Sequence, residues 1–358
     1  MRTERLPERL YTLDALRGVA ALSVVLWHWQ HFFYQGTLPL VYAKERLPLW
    51  RVLRPFYLEG GRAVDLFFCL SGFVFFWLYA ERVARRQIGP WPFAVLRLSR
   101  LYPLHLATLL VVAVLQAVFH ARSGKFFVFP ANDAYHFALN LAFASAWGFE
   151  WDYSFNGPAW SVSVEILLYA AFFAVCRIGW RRSWQLLLLA ASGIALRQVV
   201  ELVGEGVTCF FLGGLAFRAC VALLGRGLPR GTLFGLAAAT AALWWLVPVS
   251  GVGWPGYELL LFPLTVLTLA LAEARGGASA RRLAWLGDAS YSIYLLHFPL
   301  QLAIVVAAPS LGLRPTSFFS PLALALVLVV LIALALASYR LFERPLQTRL
   351  RRRFLARP

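Results

Sequence analysis

Long apolar runs separated by short polar stretches follow one another along the whole chain. About 20 apolar residues in helical conformation cross the ~30 Å hydrocarbon core of a bilayer. The pattern therefore predicts an all-α polytopic membrane helix bundle with about ten transmembrane helices. The runs cover residues 13–33, 63–79, 101–119, 159–176, 184–203, 206–224, 232–249, 257–273, 289–308 and 320–339.

Composition agrees with this class, because 60% of the 358 residues are hydrophobic and 14% are charged. The formal net charge of +17 could suggest a nucleic-acid partner, but no nucleic-acid motif accompanies it. Arginines instead concentrate in alternate loops, as the positive-inside rule requires of cytoplasmic loops. The sequence predicts the lipid bilayer as partner, no nucleic acid, and both termini in the cytoplasm.

The charge pattern also predicts the domain organisation. Residues 1–12 form a cytoplasmic flank, 13–340 the membrane domain, and 341–358 a basic cytoplasmic tail suited to anionic lipid headgroups. The stretch 136–149 is short, and as a full span it would place Arg177, Arg181 and Arg182 outside. We therefore expect it to be re-entrant or interfacial. No metal site is expected, because the four cysteines lack ligand spacing; they are Cys69, Cys176, Cys209 and Cys220.

The first apolar run carries ionisable residues, among them Asp14, Arg17 and His28. Such groups cost roughly 2.5 to 3.5 kcal/mol each in hydrocarbon, so they normally face a protein interior or an aqueous cavity and mark a site. In a uniform α-helix, Arg17 and His28 leave the same face about 16 Å apart. One helix face is thus predicted to carry a cation and an imidazole.

His28 is the strongest candidate for a general base, because imidazole titrates near neutrality. Glu165, in a span predicted to descend from the outer side, falls at a similar depth and could orient His28 or pair with an arginine. The alternative is that His28 is a hydrogen-bonded bundle histidine and that Glu165 is a helix-packing residue.

Arg17, Arg97 and Arg100 are predicted to lie near one cytoplasmic mouth. Guanidinium clusters suit phosphate or pyrophosphate groups, whereas the alternative is simple positive-inside anchoring. Asp14 is expected to pair with Arg17 at i, i+3 spacing.

The stretch around residue 294 places Tyr294 next to Ser290 and His297 at helical spacing. This polar edge could line a cavity or make interhelical hydrogen bonds. At the end of the last span, Glu343 stands among arginines, and the pattern there indicates a terminal salt-bridge cluster.

Taken in order, these pieces resemble the acyltransferase-3 family of membrane acyltransferases. The resemblance covers nearly the whole chain. In the family the arginine cluster before the third span is often denser than here, where Leu98 and Ser99 separate the two arginines. The stretches that carry the resemblance are LDALRGVAALSVVLWHW, GRAVDLFFCLSGFVF, RLSRLYPLH, FNGPAWSVSVEILLY, GDASYSIYLLHFPL and YRLFERP.

The resemblance implies transfer of an acyl group, usually acetyl from acetyl-CoA, to a sugar hydroxyl of a periplasmic or membrane-associated glycan or glycolipid in the bacterial inner membrane. Arg17 and His28 would be essential, and Asp65, Ser71 and Trp160 would bind substrate or support the site. The acyl-CoA is a donor substrate, and no tightly bound cofactor is expected. Glycan-assembly proteins are possible partners.

Two questions stay open at this point. The acyl group could pass directly to the acceptor or through an acyl-histidine relay. The same topology would also suit a glycan exporter or flippase without catalysis, or a membrane scaffold, although a scaffold would leave the buried charges of the first run without purpose.

Overall fold

The computed structural model describes residues 6–227, 229–277 and 279–355, with only the backbone of Arg230. Residues 1–5 of the predicted flank and 356–358 of the predicted tail lie outside this description. Within the described ranges the chain is helical apart from short connections and one two-residue strand pair, Tyr34–Gln35 with Leu38–Pro39.

The α-helices run in chain order from α1 to α14. They are Tyr11–Trp27, Trp50–Glu59, Ala63–Leu78, Ala80–Ala84, Pro90–Ser123, Ala134–Leu141, Trp160–Arg177, Ser183–Leu196, Glu201–Gly225, Arg230–Ser250, Phe262–Ala274, Ala284–Ala307, Pro321–Ala337 and Arg344–Leu355. Two π-helical turns, Gly256–Leu261 and Ser338–Glu343, lead into α11 and α14.

Each of the ten predicted spans coincides with a helix. Eight continuous helical stretches, counted together with adjoining helices and 3-10 or π-helical turns, are long and apolar enough to cross a membrane among the described residues. Helices α1 and α8, with 17 and 14 residues, are not among these eight. The all-α polytopic bundle is confirmed. Helices satisfy their own backbone hydrogen bonds, which is why an apolar chain in lipid adopts them throughout.

The chain divides into two compact units. The first comprises Met1–Ala20, Arg62–Gly89 and Val164–Asp288. Its helices α3 and α9 approach closely because glycines face the partner backbone: a Cβ on Gly72 would lie 1.8 Å from the Phe210 oxygen, and one on Gly213 would lie 1.9 Å from the Cys69 oxygen. Small residues at such crossings allow tight helix association in lipid.

The start of α1 belongs to this first unit and is fixed by one carboxylate. Glu273 accepts hydrogen bonds from the backbone N–H groups of Tyr11 and Thr12, at 3.0 and 2.8 Å, and from the Thr12 hydroxyl at 2.7 Å. The first N–H groups of a helix have no partner within it. Glu273 supplies that partner and ties α11 to the helix start.

The second unit comprises Ala21–Gly61, Pro90–Ser163 and Ala289–Pro358. Its core includes the buried aromatic side chains of Trp29, Phe33, Tyr57 and Phe318. The stretch 34–62 between the first two apolar runs is more than a connecting loop, because α2 forms within it. Apolar side chains of α2, among them Leu53 and Phe56, pack on this aromatic core.

Two further segments differ from their predicted form. The first apolar run is α-helical only to Trp27, and residues His28–Phe33 continue as a 3-10 helix. Segment 136–149 overlaps one short helix, α6, which begins at Ala134 and has eight residues. At about 1.5 Å per residue α6 is too short to cross a bilayer, which agrees with the expectation that this segment is no full span.

Candidate functional site

The 3-10 helix after α1 brings two histidines onto one side. With three residues per turn, side chains at i and i+3 eclipse, so His28 and His31 lie together with ring centroids 4.7 Å apart. The side chain of Gln301 donates to the His28 carbonyl at 3.0 Å. This bond gives that carbonyl a partner outside the helix and supports the change of pitch.

The third histidine of this cluster comes from α12, which carries His297 and Gln301 one turn apart. The ring centroids of His297 and His28 lie 4.8 Å apart. All three histidines are buried. Burial and the repulsion between protonated imidazoles this close both favour neutral rings.

The hydrogen bonds assign the protons in this cluster. His297 Nδ1 bonds the Tyr294 carbonyl, which only accepts, so His297 Nε2 is left as an acceptor. His28 Nδ1 lies 3.1 Å from that Nε2 and 3.0 Å from the Val24 carbonyl. His28 therefore carries its proton on Nδ1, and its Nε2 keeps a free electron pair.

His31 follows the same logic. Because Gln301 Nε2 donates to a carbonyl, its Oε1 is the acceptor for His31 Nδ1 at 3.2 Å. The Nε2 atom of His31 is thus also unprotonated. The side-chain hydrogen bonds of His28 and His31 to other described residues all use Nδ1. The arrangement can accept a proton at either Nε2.

A proline in α12 ties this cluster to the segment before α7. Pro299 has no N–H, so the carbonyl of Leu295 one turn earlier lacks its helical partner. The side chain of buried Asn156 donates to that carbonyl at 3.0 Å. Tyr294 donates to the Pro158 carbonyl at 2.7 Å and accepts from Ser161 at 2.8 Å. The predicted polar edge thus makes interhelical hydrogen bonds.

The two arginines predicted on the third span lie on α5 in the second unit. Arg97 is half-buried and Arg100 is exposed. Helix α14 packs along this end of α5, and Arg351 bonds the Ser99 hydroxyl at 3.3 Å and the Leu96 carbonyl at 3.2 Å. Part of the predicted tail is therefore a docked helix that adds a third guanidinium to this end of α5.

Glu343 does not form the terminal salt-bridge cluster that its arginine neighbours indicated. Its carboxylate accepts hydrogen bonds from Ser292 at 2.6 Å and Ser338 at 2.8 Å. Glu343 is the buried residue of the π-helical turn and faces these hydroxyls, and Arg100 lies within electrostatic reach. Glu343 therefore joins α12 to the end of the last span.

Arg17 and Asp14 belong to the first unit, where the predicted i, i+3 pair is present at 3.8 Å. Asp14 makes a closer ion pair with Arg9 at 2.5 Å, and Arg9 also contacts Asp288 at 2.7 Å. The grouping of Arg17 with the arginines of α5 stays a prediction.

Glu165 also lies in the first unit and accepts hydrogen bonds from Tyr169 and, at 2.9 Å, from Ser71. The structure thus brings together two predicted site residues, Glu165 and Ser71. An orienting role of Glu165 toward His28 stays a prediction. Trp160 is half-buried at the start of α7 in the second unit.

Asp65 is buried in the first unit, within electrostatic reach of a network that the sequence did not reveal. In that network Arg197 pairs with Glu258 at 2.7 Å and with Glu205 at 2.6 Å. The guanidinium also lies 4.1 Å from the ring centroid of Trp254. The available signal was Glu258 within an apolar run and Glu205 between two runs, but Arg197, which pairs with both, is distant from Glu258 in sequence.

Other features of the described residues complete this picture. A cavity of about 390 Å³, counting space open to solvent, adjoins the 3-10 helix; its lining includes Trp27, Gln30, Lys44 and Trp50. Among the described residues, no group of three or more His, Cys, Asp or Glu side chains could hold a metal ion.

Comparison with known proteins gives a consistent set of similarities. A family model described as an acyltransferase domain, acyltransferase-3, matches residues 10–339. The exopolysaccharide production protein ExoZ of Rhizobium meliloti (strain 1021) is 30% identical over 323 residues, covering 82% of this chain and 92% of the relative.

Two further relatives are similar over about half of the chain. Protein 2 in the picA locus of Rhizobium radiobacter is 33% identical over 205 residues, which cover 53% of this chain and 94% of the relative. Acyltransferase MdmB of Streptomyces mycarofaciens is 31% identical over 196 residues, 52% of this chain and 44% of the relative. No solved structure matches.

Proposed function

This chain belongs to the acyltransferase-3 family and is a membrane acyltransferase, and we propose that it transfers an acyl group, acetyl in the simplest case, from acyl-CoA to a hydroxyl of a glycan. The observation that carries the proposal is the open Nε2 of His28, whose Nδ1 proton is held by the Val24 carbonyl and His297. A base needs such an electron pair within a positioned ring.

In the proposed step, Nε2 of His28 takes the proton of the acceptor hydroxyl while the hydroxyl oxygen attacks the thioester carbonyl carbon. The tetrahedral intermediate collapses, the carbon–sulfur bond breaks, and the CoA sulfur leaves with the proton returned from His28. His297 acts as a positioning residue, because its Nε2 accepts from His28 Nδ1 and stabilises the ring as it becomes positive.

Direct transfer is favoured over an acyl-histidine relay on one ground. Direct transfer needs only the open Nε2 of His28 as a base, whereas a relay would use that atom as the nucleophile and need a second base to activate the acceptor hydroxyl. His31, with its own open Nε2, could serve as that base. A covalent acyl group on His28 after mixing with donor alone would therefore establish the relay.

The donor is proposed to bind through its phosphates at Arg97 and Arg100, with Arg17 as a further donor-binding residue. Arginine binds phosphate oxygens in a bidentate manner, and the two α5 arginines stand one turn apart. The arginine-rich loops support an inner-membrane protein with cytoplasmic termini and therefore access to cytoplasmic acyl-CoA.

The acceptor class is supported by the family and by the name of one relative, an exopolysaccharide production protein. We extend this to the present chain as a glycan or glycolipid hydroxyl. Membership of an acyltransferase family favours an enzyme over the exporter or flippase considered from topology, since transport requires no thioester chemistry.

The test is acceptor-dependent release of CoA by the purified full chain, wild type beside His28→Ala, with acetyl-CoA and a pool of bacterial polysaccharides. We expect His28→Ala to lower turnover about 10²- to 10⁴-fold and to retain CoA binding. Mass analysis of the glycan would show the acyl group.

His120→Ala is the matched control, because His120 is an exposed histidine of the same unit. It should leave turnover unchanged. Arg17→Ala and Arg100→Ala should weaken donor binding before they affect turnover at saturating donor. Turnover of His28→Ala equal to that of wild type would overturn the role of His28.

A further inference from the structure

The connection between α5 and α7 presents four exposed aromatic side chains, which we name the aromatic platform: Tyr135, Phe149, Trp151 and Tyr153. Between residues 126 and 164 the chain also carries three carboxylates and no lysine or arginine. In a chain with a formal charge of +17, this acidic and aromatic surface stands apart from the basic loops.

The platform is held in place by its neighbours. The rings of Tyr135 and Trp151 are stacked 4.9 Å apart with an interplanar angle of 5°, and Trp151 stands edge-on to buried His136 at 4.1 Å. The Tyr135 hydroxyl donates to the Phe149 carbonyl at 2.9 Å. A surface fixed in this way loses little conformational freedom when it binds.

Buried polar contacts anchor the base of the platform. His136 Nδ1 bonds the Asp133 carboxylate at 2.9 Å, and Asn140 donates to the Ser154 hydroxyl at 2.8 Å. Phe143 and Phe155 adopt positive φ angles of 56° and 48°. Such strained conformations persist only where the surroundings over-determine them, which is frequent at ligand-binding segments.

Ring contacts connect the platform with the histidine cluster inside the same unit. Tyr153 lies 6.0 Å from Phe129, and Phe129 lies 5.8 Å from His31, both between centroids. His31 in turn neighbours His28 at 4.7 Å. A ligand on the platform is thus a few sugar rings away from the proposed base.

We propose that the aromatic platform binds pyranose rings of a neutral acceptor oligosaccharide; this rests on the proposed function and specifies its acceptor. The apolar C–H face of a pyranose stacks on flat aromatic rings, and its hydroxyls donate to the surrounding carboxylates Asp133, Glu150 and Asp152. The same carboxylates repel phosphate headgroups and acidic polymers, which makes a neutral saccharide the better occupant than a lipid surface.

The experiment compares wild type with Trp151→Ala and Trp151→Phe in the purified full chain, using a size ladder of neutral gluco- and galacto-oligosaccharides as probe. Saturation-transfer NMR without donor reports binding, and initial rates report the KM of the best acceptor. We expect Trp151→Ala to raise that KM about tenfold, with the donor KM unchanged and Trp151→Phe retaining most of the affinity.

Trp245→Ala is the matched control, since Trp245 is 71% exposed and Trp151 is 66% exposed, but Trp245 lies on spanning helix α10. It should change neither binding nor KM. An active enzyme whose acceptor KM is the same in Trp151→Ala would overturn the platform and leave the proposed function standing.

Two further outcomes distinguish the aromatic platform from the proposed acyltransferase function. Trp151-dependent saccharide binding by a wild type that does not release CoA would support the platform and refute the proposed function. Quenching of Trp151 fluorescence by brominated lipids, unaffected by saccharides, would identify a membrane-facing belt and overturn the proposal.

Discussion

The buried histidines of the second unit and the buried ion pairs of the first unit satisfy their polar groups in different ways. Arg197 faces two carboxylates at 2.6 and 2.7 Å and stacks on Trp254. The imidazoles of His28 and His31 bond their neighbours through Nδ1 alone. In the Arg197 network the charges are paired with opposite charges, whereas the histidine cluster keeps unprotonated Nε2 atoms that can accept a proton.

An ionisable residue within a membrane domain is taken as functional by default, and this difference refines that rule. A charge held by opposite charges inside the membrane domain stabilises one arrangement of helices. A buried neutral ring with one free nitrogen can exchange a proton. The partners of a buried group, more than its burial, therefore distinguish architecture from chemistry.

Breaking the Arg197 network should have the largest effect on stability. Arg197→Ala removes the guanidinium that pairs with Glu258, which is 1% exposed, and with Glu205, and removal of one partner of a buried pair costs about 3 to 5 kcal/mol. Thermal unfolding of the purified protein in detergent measures this loss.

Arg181→Ala is the matched control in the same unit, because Arg181 pairs with Glu81 at an exposed site. Surface pairs are worth about 0 to 1 kcal/mol, so little change is expected. Equal destabilisation by the two variants would show that the Arg197 network is no more structural than a surface pair.

Replacing His297 tests the histidine cluster, the second of the two networks compared above. His297→Ala removes one of the two acceptors at His28 Nδ1 and leaves the Val24 carbonyl, so the ring loses part of its orientation. We expect turnover to fall about 10- to 100-fold, the range found when residues that orient a working histidine are changed. His297→Gln, whose amide oxygen can accept the same proton, should restore part of the rate.

The readout that distinguishes positioning from stability is the pH dependence of turnover at saturating substrates. A positioning role of His297 predicts a displaced profile for His297→Ala with an unchanged unfolding temperature. A lowered unfolding temperature with an unchanged profile would instead assign His297 to packing.

The smallest effect is expected at Asp133, where an exposed carboxylate meets a buried imidazole. Hydrogen bonds from His136 hold the pKa of Asp133 below its usual value. Asp133 also caps the start of α6, and its replacement by alanine should cost about 1 kcal/mol. Limited proteolysis of the connection between α5 and α7 would detect this loss.

The sign of the pH effect follows from the lowered pKa. The Asp133 contribution is fully present above the pKa of the carboxyl in the unfolded chain and is lost as the pH falls through the lower, folded pKa. Protection from proteolysis should therefore fall in acid for wild type and depend less on pH in Asp133→Ala.

Hydropathy was sufficient to predict the apolar helices of the membrane domain, because lipid leaves the backbone few alternatives. It also indicated His28, Tyr294 and His297, since polar residues within apolar runs are conspicuous. Gln301 escaped notice because nothing in the sequence shows that its amide reaches the His28 carbonyl. Its role depends on which helices are neighbours.

Arg351 and the Arg197 network show the same limit of prediction from sequence. A basic amphipathic end of a chain reads as a solvated tail, and only its docking on α5 gives Arg351 fixed partners. Arg197 and Glu258 are 61 residues apart, so their pairing follows from tertiary packing. Spacing predicts contacts within a helix, whereas contacts between helices required the structure.

The tight turn after α1 has a consequence for protein engineering. Each residue in a 3-10 helix advances about 120° instead of about 100° around the axis. The eclipsed orientation of the His28 and His31 imidazoles therefore depends on the 3-10 pitch. Transplanting the pair onto an ordinary α-helix of a designed bundle would turn the rings apart by about 60°. The six residues His28–Phe33 would have to move together with a glutamine donor for the carbonyl of the first histidine.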